Sequence, residues 1–276
     1  MKRLITLIIL SFFLFGCGTK FVYNHMDWFV LEYIDDYVDL DETQKELIVN
    51  QLAVLSEWHR KEELPNYIHH LDVLSELNFE QLNTSMIGAE EAALRNHYRR
   101  LMARLAPSLY SLACSLSIQQ KEELLDNIRV RHTSYKEKFE GLSDIEIRER
   151  YRERIQNNIE KWMGSLTKDQ RDGVQQWSRD LKITVPDWVS HQTKIRLEIQ
   201  SILARCSNEA VSRAQLYRLL VEPRQLYSPE LRVKTEYNRE VSNQYIVMIL
   251  SKMNNRQVRN FRESLHSWRE KFIELL

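Results

Sequence analysis

Glycine and proline are scarce in this chain, with six and five occurrences among 276 residues. These residues supply the turns that a strand-rich fold needs, so their scarcity argues against a β-sandwich or a β-barrel. Net charge is also lacking, because 39 Lys and Arg residues balance 39 Asp and Glu residues. A neutral chain has no net attraction for nucleic acid, and we expect no nucleic-acid partner.

The residues that are present indicate a globular helical chain. Hydrophobic residues make up 43% of it and charged residues 28%, which is unlike a disordered chain. Apolar residues recur at helical spacing, as at Val258, Phe261 and Leu265. We predict an all-α fold, an irregular bundle of about eight to ten amphipathic helices. The bundle is expected to be a single domain over residues 17–276, with any weak boundary near residues 219–229.

A short recurring pattern marks the first turn of several helices. An apolar residue and a capping residue are followed by two variable positions and Gln, as in residues 40–44. The capping oxygen accepts a hydrogen bond from a free backbone N–H, and the Gln reaches back to the N–H of the capping residue. With one Glu version and one Ser-Pro version, the pattern predicts capping residues at Asp41, Asn78, Ser117, Ser143, Thr167, Ser228 and Asn254.

The amino-terminal residues have the features of a signal peptide. Lys2 and Arg3 form a positive n-region, and residues 4–15 are an uncharged apolar run. As a helix this run would rise only about 18 Å, which is short of the hydrocarbon core of a bilayer. We therefore predict a cleaved signal and no permanent membrane span in this stretch.

The end of this stretch resembles the lipobox of bacterial lipoprotein precursors. Leu14 occupies the aliphatic position, Gly16 precedes the cut, and Cys17 is the residue that would carry lipid. The resemblance implies that residues 1–16 are removed and that Cys17 receives a diacylglyceryl thioether and an N-terminal acyl group. Several acyl chains make a stable anchor. Gly18, where Asp would favour the inner membrane, favours the periplasmic face of the outer membrane.

The remaining cysteines, Cys114 and Cys206, form an even pair in an oxidising compartment. They are candidates for a disulfide or for two separate buried thiols. The sequence does not give the distance between their Cα atoms, so both alternatives stay open.

Motifs over much of the chain resemble a known family. The motifs are Tyr23-Asn24, Asp27-Trp28, Asp35-Asp36-Tyr37-Val38-Asp39-Leu40, Trp58-His59-Arg60, Glu62-Glu63-Leu64-Pro65 and Tyr67. Together with the lipobox they look like an uncharacterised proteobacterial lipoprotein family, domain of unknown function 6279. The resemblance implies a location and a fold, and no activity.

A polar cluster is the main candidate for a chemical site. Asp35, Asp36 and Asp39 lie close together, and His59 follows them. Carboxylates and an imidazole can hold a metal ion, but the stretch has neither the ligand spacing nor the glycine of a calcium loop. Ion pairing with neighbouring Lys and Arg and turn capping explain these residues better than a metal site does. We find no zinc-protease, nucleophile-elbow or phosphate-loop motif, and we expect no catalytic residue, metal or other cofactor.

Residues 21–38 are rich in aromatic side chains and directly follow the predicted anchor. They would either rest at the membrane interface, where aromatic rings are favoured, or pack as the first core helix.

The sequence favours a lipid-anchored cell-envelope protein that binds an unknown envelope protein as a binding, assembly or structural factor. A chaperone-like role is the alternative, because residues 166–170 have the Leu-Thr-x-x-Gln form of small periplasmic stress chaperones. Helix capping also explains that motif. A periplasmic enzyme with scattered catalytic residues is a third hypothesis.

Overall fold

The structure is a computed structural model that describes residues 17–276. The predicted signal peptide, residues 1–16 with Gly16, lies outside the described residues, as does the side chain of Cys17. The described chain consists of helices joined by turns and contains no strand, so the predicted irregular all-α bundle is confirmed. It divides into two compact units: unit 1 contains residues 17–76 and 265–276, and unit 2 contains Leu77–Ser264. The single domain stays a prediction.

Unit 1 begins with a pair of short helices and continues with a long helical run. The Asp41 carboxylate accepts a hydrogen bond from Gln44 N–H at 2.9 Å, and Gln44 Oε1 accepts one from Asp41 N–H at 3.0 Å. This reciprocal cap starts the long run where the sequence predicts it. The elements are α1 (Cys17–Asn24), α2 (Met26–Asp35), α3 (Glu42–Trp58), a π-helical turn (His59–Glu63) and α4 (Leu64–Ser75).

Unit 2 contains the longer part of the bundle. Its segment 219–229, where we expected any weak boundary, holds the end of one helix, a 3-10 turn and the start of the next. The elements are a 3-10 turn (Phe79–Gln81), α5 (Thr84–Ser115), α6 (Ile118–Glu137), α7 (Asp144–Met163), α8 (Lys168–Asp180), α9 (Val185–Ala204), α10 (Glu209–Val221), a second 3-10 turn (Pro223–Leu226), α11 (Pro229–Leu250) and α12 (Asn255–Ile273), of which residues 255–264 belong to unit 2.

The capping pattern locates these helices well, with one error. The predicted caps of α6, α7, α8, α11 and α12 are all confirmed by side-chain hydrogen bonds to the first turn. Asn78 does not start an α-helix. Its side chain accepts from Glu80 N–H, two residues on, which closes a tight turn. The long helix α5 begins later, with Asn83 as its cap.

Two of the capping motifs meet in the core of unit 2. Gln170 and Gln257 are 1% and 2% exposed. Gln170 Nε2 donates to Gln257 Oε1 at 3.1 Å, and Gln257 Nε2 donates to Gln170 Oε1 at 2.8 Å. Each Oε1 also accepts from the backbone N–H of its own capping residue. The amide pair therefore joins the first turns of α8 and α12 in a buried site where each polar atom is satisfied.

A disulfide links two other elements of unit 2. Cys114, near the end of α5, is bonded to Cys206, just after α9, with their Cα atoms 5.5 Å apart. The buried Tyr110 donates its hydroxyl hydrogen to the Cys206 carbonyl at 3.1 Å, which holds the same turn.

Within residues 17–276, no single helix combines the length and hydropathy of a membrane span, whereas α5 and α6 pass that test only as a pair bent by 119°.

Candidate functional site

The candidate site is an open groove in unit 1 with a volume of about 560 Å³. Helices α1, α2 and α3, the π-helical turn and Leu276 line it. Met26, Val49, Leu52 and Leu276 provide an apolar surface. Small apolar segments can cover such a surface, so the groove has the general form of a recognition site.

Behind one wall of the groove, Tyr23 and His59 share a hydrogen bond. The Tyr23 hydroxyl lies 3.0 Å from His59 Nδ1 and 3.3 Å from the Ser56 carbonyl oxygen. Because a carbonyl can only accept, all groups are satisfied when the hydroxyl donates to Ser56 and Nδ1–H donates to the tyrosine oxygen. The His59 ring also packs edge-on to Tyr67, with ring centroids 5.4 Å apart.

Burial controls the ionisation of this pair. Desolvation lowers the pKa of His59, although the nearby Glu63 carboxylate opposes the shift. Desolvation raises the pKa of Tyr23, although Arg60 opposes that shift. Both side chains are therefore neutral at pH 7, and the pair fixes the position of α1 against the long helical run.

The π-helical turn has a local cause in the sequence. Pro65 follows it and has no N–H to donate to the carbonyl of Lys61, four residues earlier. The chain widens instead, and Leu64 N–H donates to His59 O, five residues earlier. Such turns are frequent at functional sites. Here the widened turn carries Arg60 and Lys61, which both line the groove.

Arg60 is the most unusual charge in the groove. Its guanidinium lies over the Tyr23 ring, 5.1 Å from the centroid, and its Nη2 donates weakly to Asn24 Oδ1 at 3.4 Å. Its Nε is buried without a hydrogen-bond partner, and among the described residues Arg60 has no ion-pair partner. A buried donor that lacks a partner costs free energy. The guanidinium is thus placed for an acceptor from another molecule.

The other charges of the groove differ in their pairing. Lys61 donates to Glu57 Oε1 at 2.6 Å, an exposed pair one helical turn apart. Asp27 also lines the groove and forms no ion pair within the described part of the chain. Arg60 and Asp27 therefore leave one positive and one negative charge available.

The aromatic stretch after Cys17 exposes three of its rings. Phe21, Trp28 and Tyr33 are 56%, 54% and 60% exposed. No residue of α2 is buried. The rings of Tyr23, Phe29 and Tyr37 are half-buried and Val38 is buried, so both interpretations of this stretch stay predictions.

The predicted polar cluster does not assemble. His59 contacts Tyr23 and Tyr67, and within the described chain it does not contact Asp35, Asp36 or Asp39. None of these four residues lines the groove.

The aspartates belong to the turn that precedes α3. The pKa of Lys45 is raised first by its hydrogen bond to Glu42, at 3.1 Å, and further by Asp39 and Asp35. Across residues 17–276 there is no group of three or more His, Cys, Asp and Glu side chains that could hold a metal ion.

The chaperone-like motif has a structural role in unit 2. Leu166 is buried, Thr167 caps α8, and Gln170 forms the amide pair described above. Helix capping and core packing thus account for the three residues that define this motif.

The sequence interpretation missed Arg60 as a site residue. No local signal marked it, because Glu57 and Glu63, three residues before and after it, would predict a helical ion pair, whereas the structure pairs Glu57 with Lys61.

Comparison with known protein families identifies a family for this chain. A family model described as "Family of unknown function (DUF6279)" matches residues 36–232. No curated protein matches the chain, and no solved structure does.

Proposed function

The chain belongs to the family of unknown function DUF6279, and we propose that it is a lipid-anchored, non-enzymatic binding or assembly factor of the cell envelope. In this proposal lipid on Cys17 holds the chain at the periplasmic face of the outer membrane. The groove of unit 1 binds a segment of another envelope protein. The observation that carries the proposal is the position of this groove on the helices that directly follow Cys17.

The tether and the groove are close along the chain. Tyr23 lies in the same helix as Cys17, and a rise of about 1.5 Å per residue puts it about 9 Å from the cysteine along α1. The polar zone of one leaflet is about 5 to 8 Å deep. A lipid on Cys17 would therefore hold the groove beside the head groups, where it meets proteins at the membrane surface.

The exposed aromatic side chains support the same placement. Trp and Tyr are favoured at the membrane interface, where the ring is partly apolar and the polar group stays wet. Phe21 and Trp28 are exposed on the two helices next to the anchor, and Tyr33 follows. Their contact with the interface would add to the binding energy of the acyl chains.

The chemistry of the groove indicates what kind of segment it binds. Val49 and Leu52 favour an apolar side chain, and the unpaired guanidinium of Arg60 favours a carboxylate. A protein segment that carries both, about one helical turn apart, would cover the apolar surface and satisfy the buried Nε.

In-cell photo-crosslinking tests this proposal. A photoreactive residue at Ala53, which lines the groove, is expected to give a discrete adduct with an envelope protein. Val54, the exposed neighbour outside the groove, is the matched control and should give none. Arg60→Gln should lower the Ala53 adduct yield by about tenfold, because it removes a charge-assisted hydrogen bond. Equal adducts from both positions, or no effect of Arg60→Gln, would overturn the proposal.

A further inference from the structure

A second pocket, in unit 2, is rich in arginine. It has a volume of about 230 Å³ and lies between the 3-10 turn Pro223–Leu226 and the first half of α11. Arg224, Arg232 and Arg239 line it, against one carboxylate, Glu236. Arg232 and Arg239 are seven residues apart on one helix, so they lie on the same face, two turns from each other.

Two of these arginines lack an acidic partner. Arg224 forms an ion pair with Glu91 at 3.3 Å, and Glu91 is shared with Arg95 at 2.6 Å. Within residues 17–276, Arg232 and Arg239 form no ion pair. Their neighbour on the same helix, Lys234, does form one, with Asp187 at 2.7 Å. The charges of the two pocket arginines are therefore not neutralised by an ion pair within the described residues.

Arg239 gives an independent indication of a ligand. Its Nε is buried and has no hydrogen-bond partner. Removing a guanidinium donor from water without an acceptor destabilises the folded protein, so such an atom calls for an acceptor that completes the site. Within the described residues, no neighbour in the pocket accepts a hydrogen bond from this Nε.

The other wall of the pocket is held in place by packing. Tyr227 lines the pocket and packs edge-on to Trp188 and His191, with ring centroids 5.3 and 5.0 Å away. Lys194 Nζ donates to Leu226 O at 2.9 Å, which fixes the end of the 3-10 turn. The turn that carries Arg224 is therefore anchored, and the arginines face a preformed space.

We propose that this pocket binds a phosphate group, either as free phosphate or as the phosphomonoester of a lipid head group. Planar guanidinium groups match the tetrahedral oxyanion with paired N–H donors, and several of them together outweigh the repulsion from Glu236. The Nε of Arg239 would donate to one phosphate oxygen, and Arg232 and Arg224 would hold the others. This site is separate from the groove of unit 1 and does not depend on its proposed role.

Calorimetric titration of the full chain, purified in a non-ionic detergent, tests the site with inorganic phosphate. We expect saturable binding that weakens as salt is added. Arg239→Gln and Arg232→Gln should each weaken it by about tenfold, or about 1.4 kcal/mol. Arg218→Gln removes the same charge from an exposed residue of α10 outside the pocket and should leave binding within about twofold of the wild type.

A stability measurement separates a binding role from a structural one. If Arg239 serves the ligand, Arg239→Gln should keep or raise the thermal midpoint without phosphate and should abolish the rise in midpoint that phosphate gives the wild type. A fall in midpoint with an unchanged response to phosphate would overturn the proposal. Arg232 is exposed, so we expect Arg232→Gln to fold even if Arg239→Gln does not, and its affinity for phosphate then tests the site.

A short-chain phosphatidic acid, added below its micelle concentration, identifies the source of the phosphate. Binding about tenfold tighter than inorganic phosphate indicates a lipid head group, and equal binding indicates free phosphate; both support the site. The proposal would be overturned if the wild type bound neither ligand. It would also be overturned if Arg239→Gln bound both ligands as tightly as the wild type does.

Discussion

Gln170 and Gln257 show how a single side chain can serve both a helix end and the core. Each caps its own helix and donates to the amide of the other. We expect Gln170→Ala to lower the free energy of unfolding by about 2 to 4 kcal/mol, because the truncation leaves buried groups without partners. Urea unfolding of the purified protein measures this loss.

A matched variant and a double variant complete this test. Gln120→Ala removes a capping residue of the same type from a more exposed site and should cost about 1 kcal/mol. The double variant of Gln170 and Gln257 should lose less than the sum of the single losses, because the two residues share hydrogen bonds. Strict additivity would contradict the paired arrangement.

His59 makes stability depend on pH in a defined direction. Burial lowers its pKa below the value near 6.5 of an unfolded chain. As the pH falls, His59 of the unfolded chain therefore binds a proton at a higher pH than His59 of the folded protein does. The stabilisation is complete above about pH 6.5 and is lost as the pH falls through the folded pKa. Burial also lowers the pKa of His132 and of His191.

The contribution of His59 can be isolated by substitution. We expect the free energy of unfolding to fall between pH 7 and pH 5, and to fall less in His59→Gln, which cannot titrate. Urea unfolding at both pH values gives the two differences. An identical loss in the variant and the wild type would refute the role of this histidine.

Single side chains were the hardest features to predict from the sequence. Asp35, Asp36 and Asp39 attract attention because they are adjacent, yet the structure uses them around the turn before α3. Arg60 stands in a run of charged residues and becomes notable only because Tyr23, from another helix, stacks on it. Local density of charge is visible in a sequence, whereas the burial of one unpaired nitrogen depends on residues distant along the chain.

At the level of elements, the disulfide between Cys114 and Cys206 is expected to stabilise unit 2 strongly. The two residues are 92 positions apart, so the bond restricts a long loop in the unfolded chain. Chain-entropy arguments give about 5 kcal/mol for such a loop. Reduction should shift the mass of the native protein and lower its thermal midpoint.

The double variant Cys114→Ala, Cys206→Ala serves as the control for the disulfide. It should unfold as easily without a reductant as the reduced wild type does, and a reductant should not change it further. A wild-type protein whose mass and midpoint do not respond to reductant would contradict the bond.

Helix starts were the most predictable elements, and the reason is local. A capping motif needs only residues within one turn, as at Ser143 and Thr167, so the sequence contains all of its chemistry. Asn78 failed because its side chain found the N–H two residues on instead of three. The π-helical turn before Pro65 was missed, because the capping pattern carries no signal for a register change within a helix.

At the scale of the whole molecule, composition was enough to predict an all-α chain. The scarcity of glycine and proline and the helical spacing of apolar residues both pointed to it. The groove of unit 1 was not predictable, because its walls come from segments far apart in sequence, with Leu276 beside Tyr23. The proposed function therefore depends on the lipid tether at Cys17, which would place the groove of unit 1 at a membrane.

Intact mass spectrometry of the protein extracted from outer-membrane fractions tests that tether most directly. We predict a polypeptide that begins at Cys17 and carries a diacylglyceryl group on the thiol and an acyl group on the amino terminus. A polypeptide that begins at another residue, or a Cys17 without lipid, would contradict it.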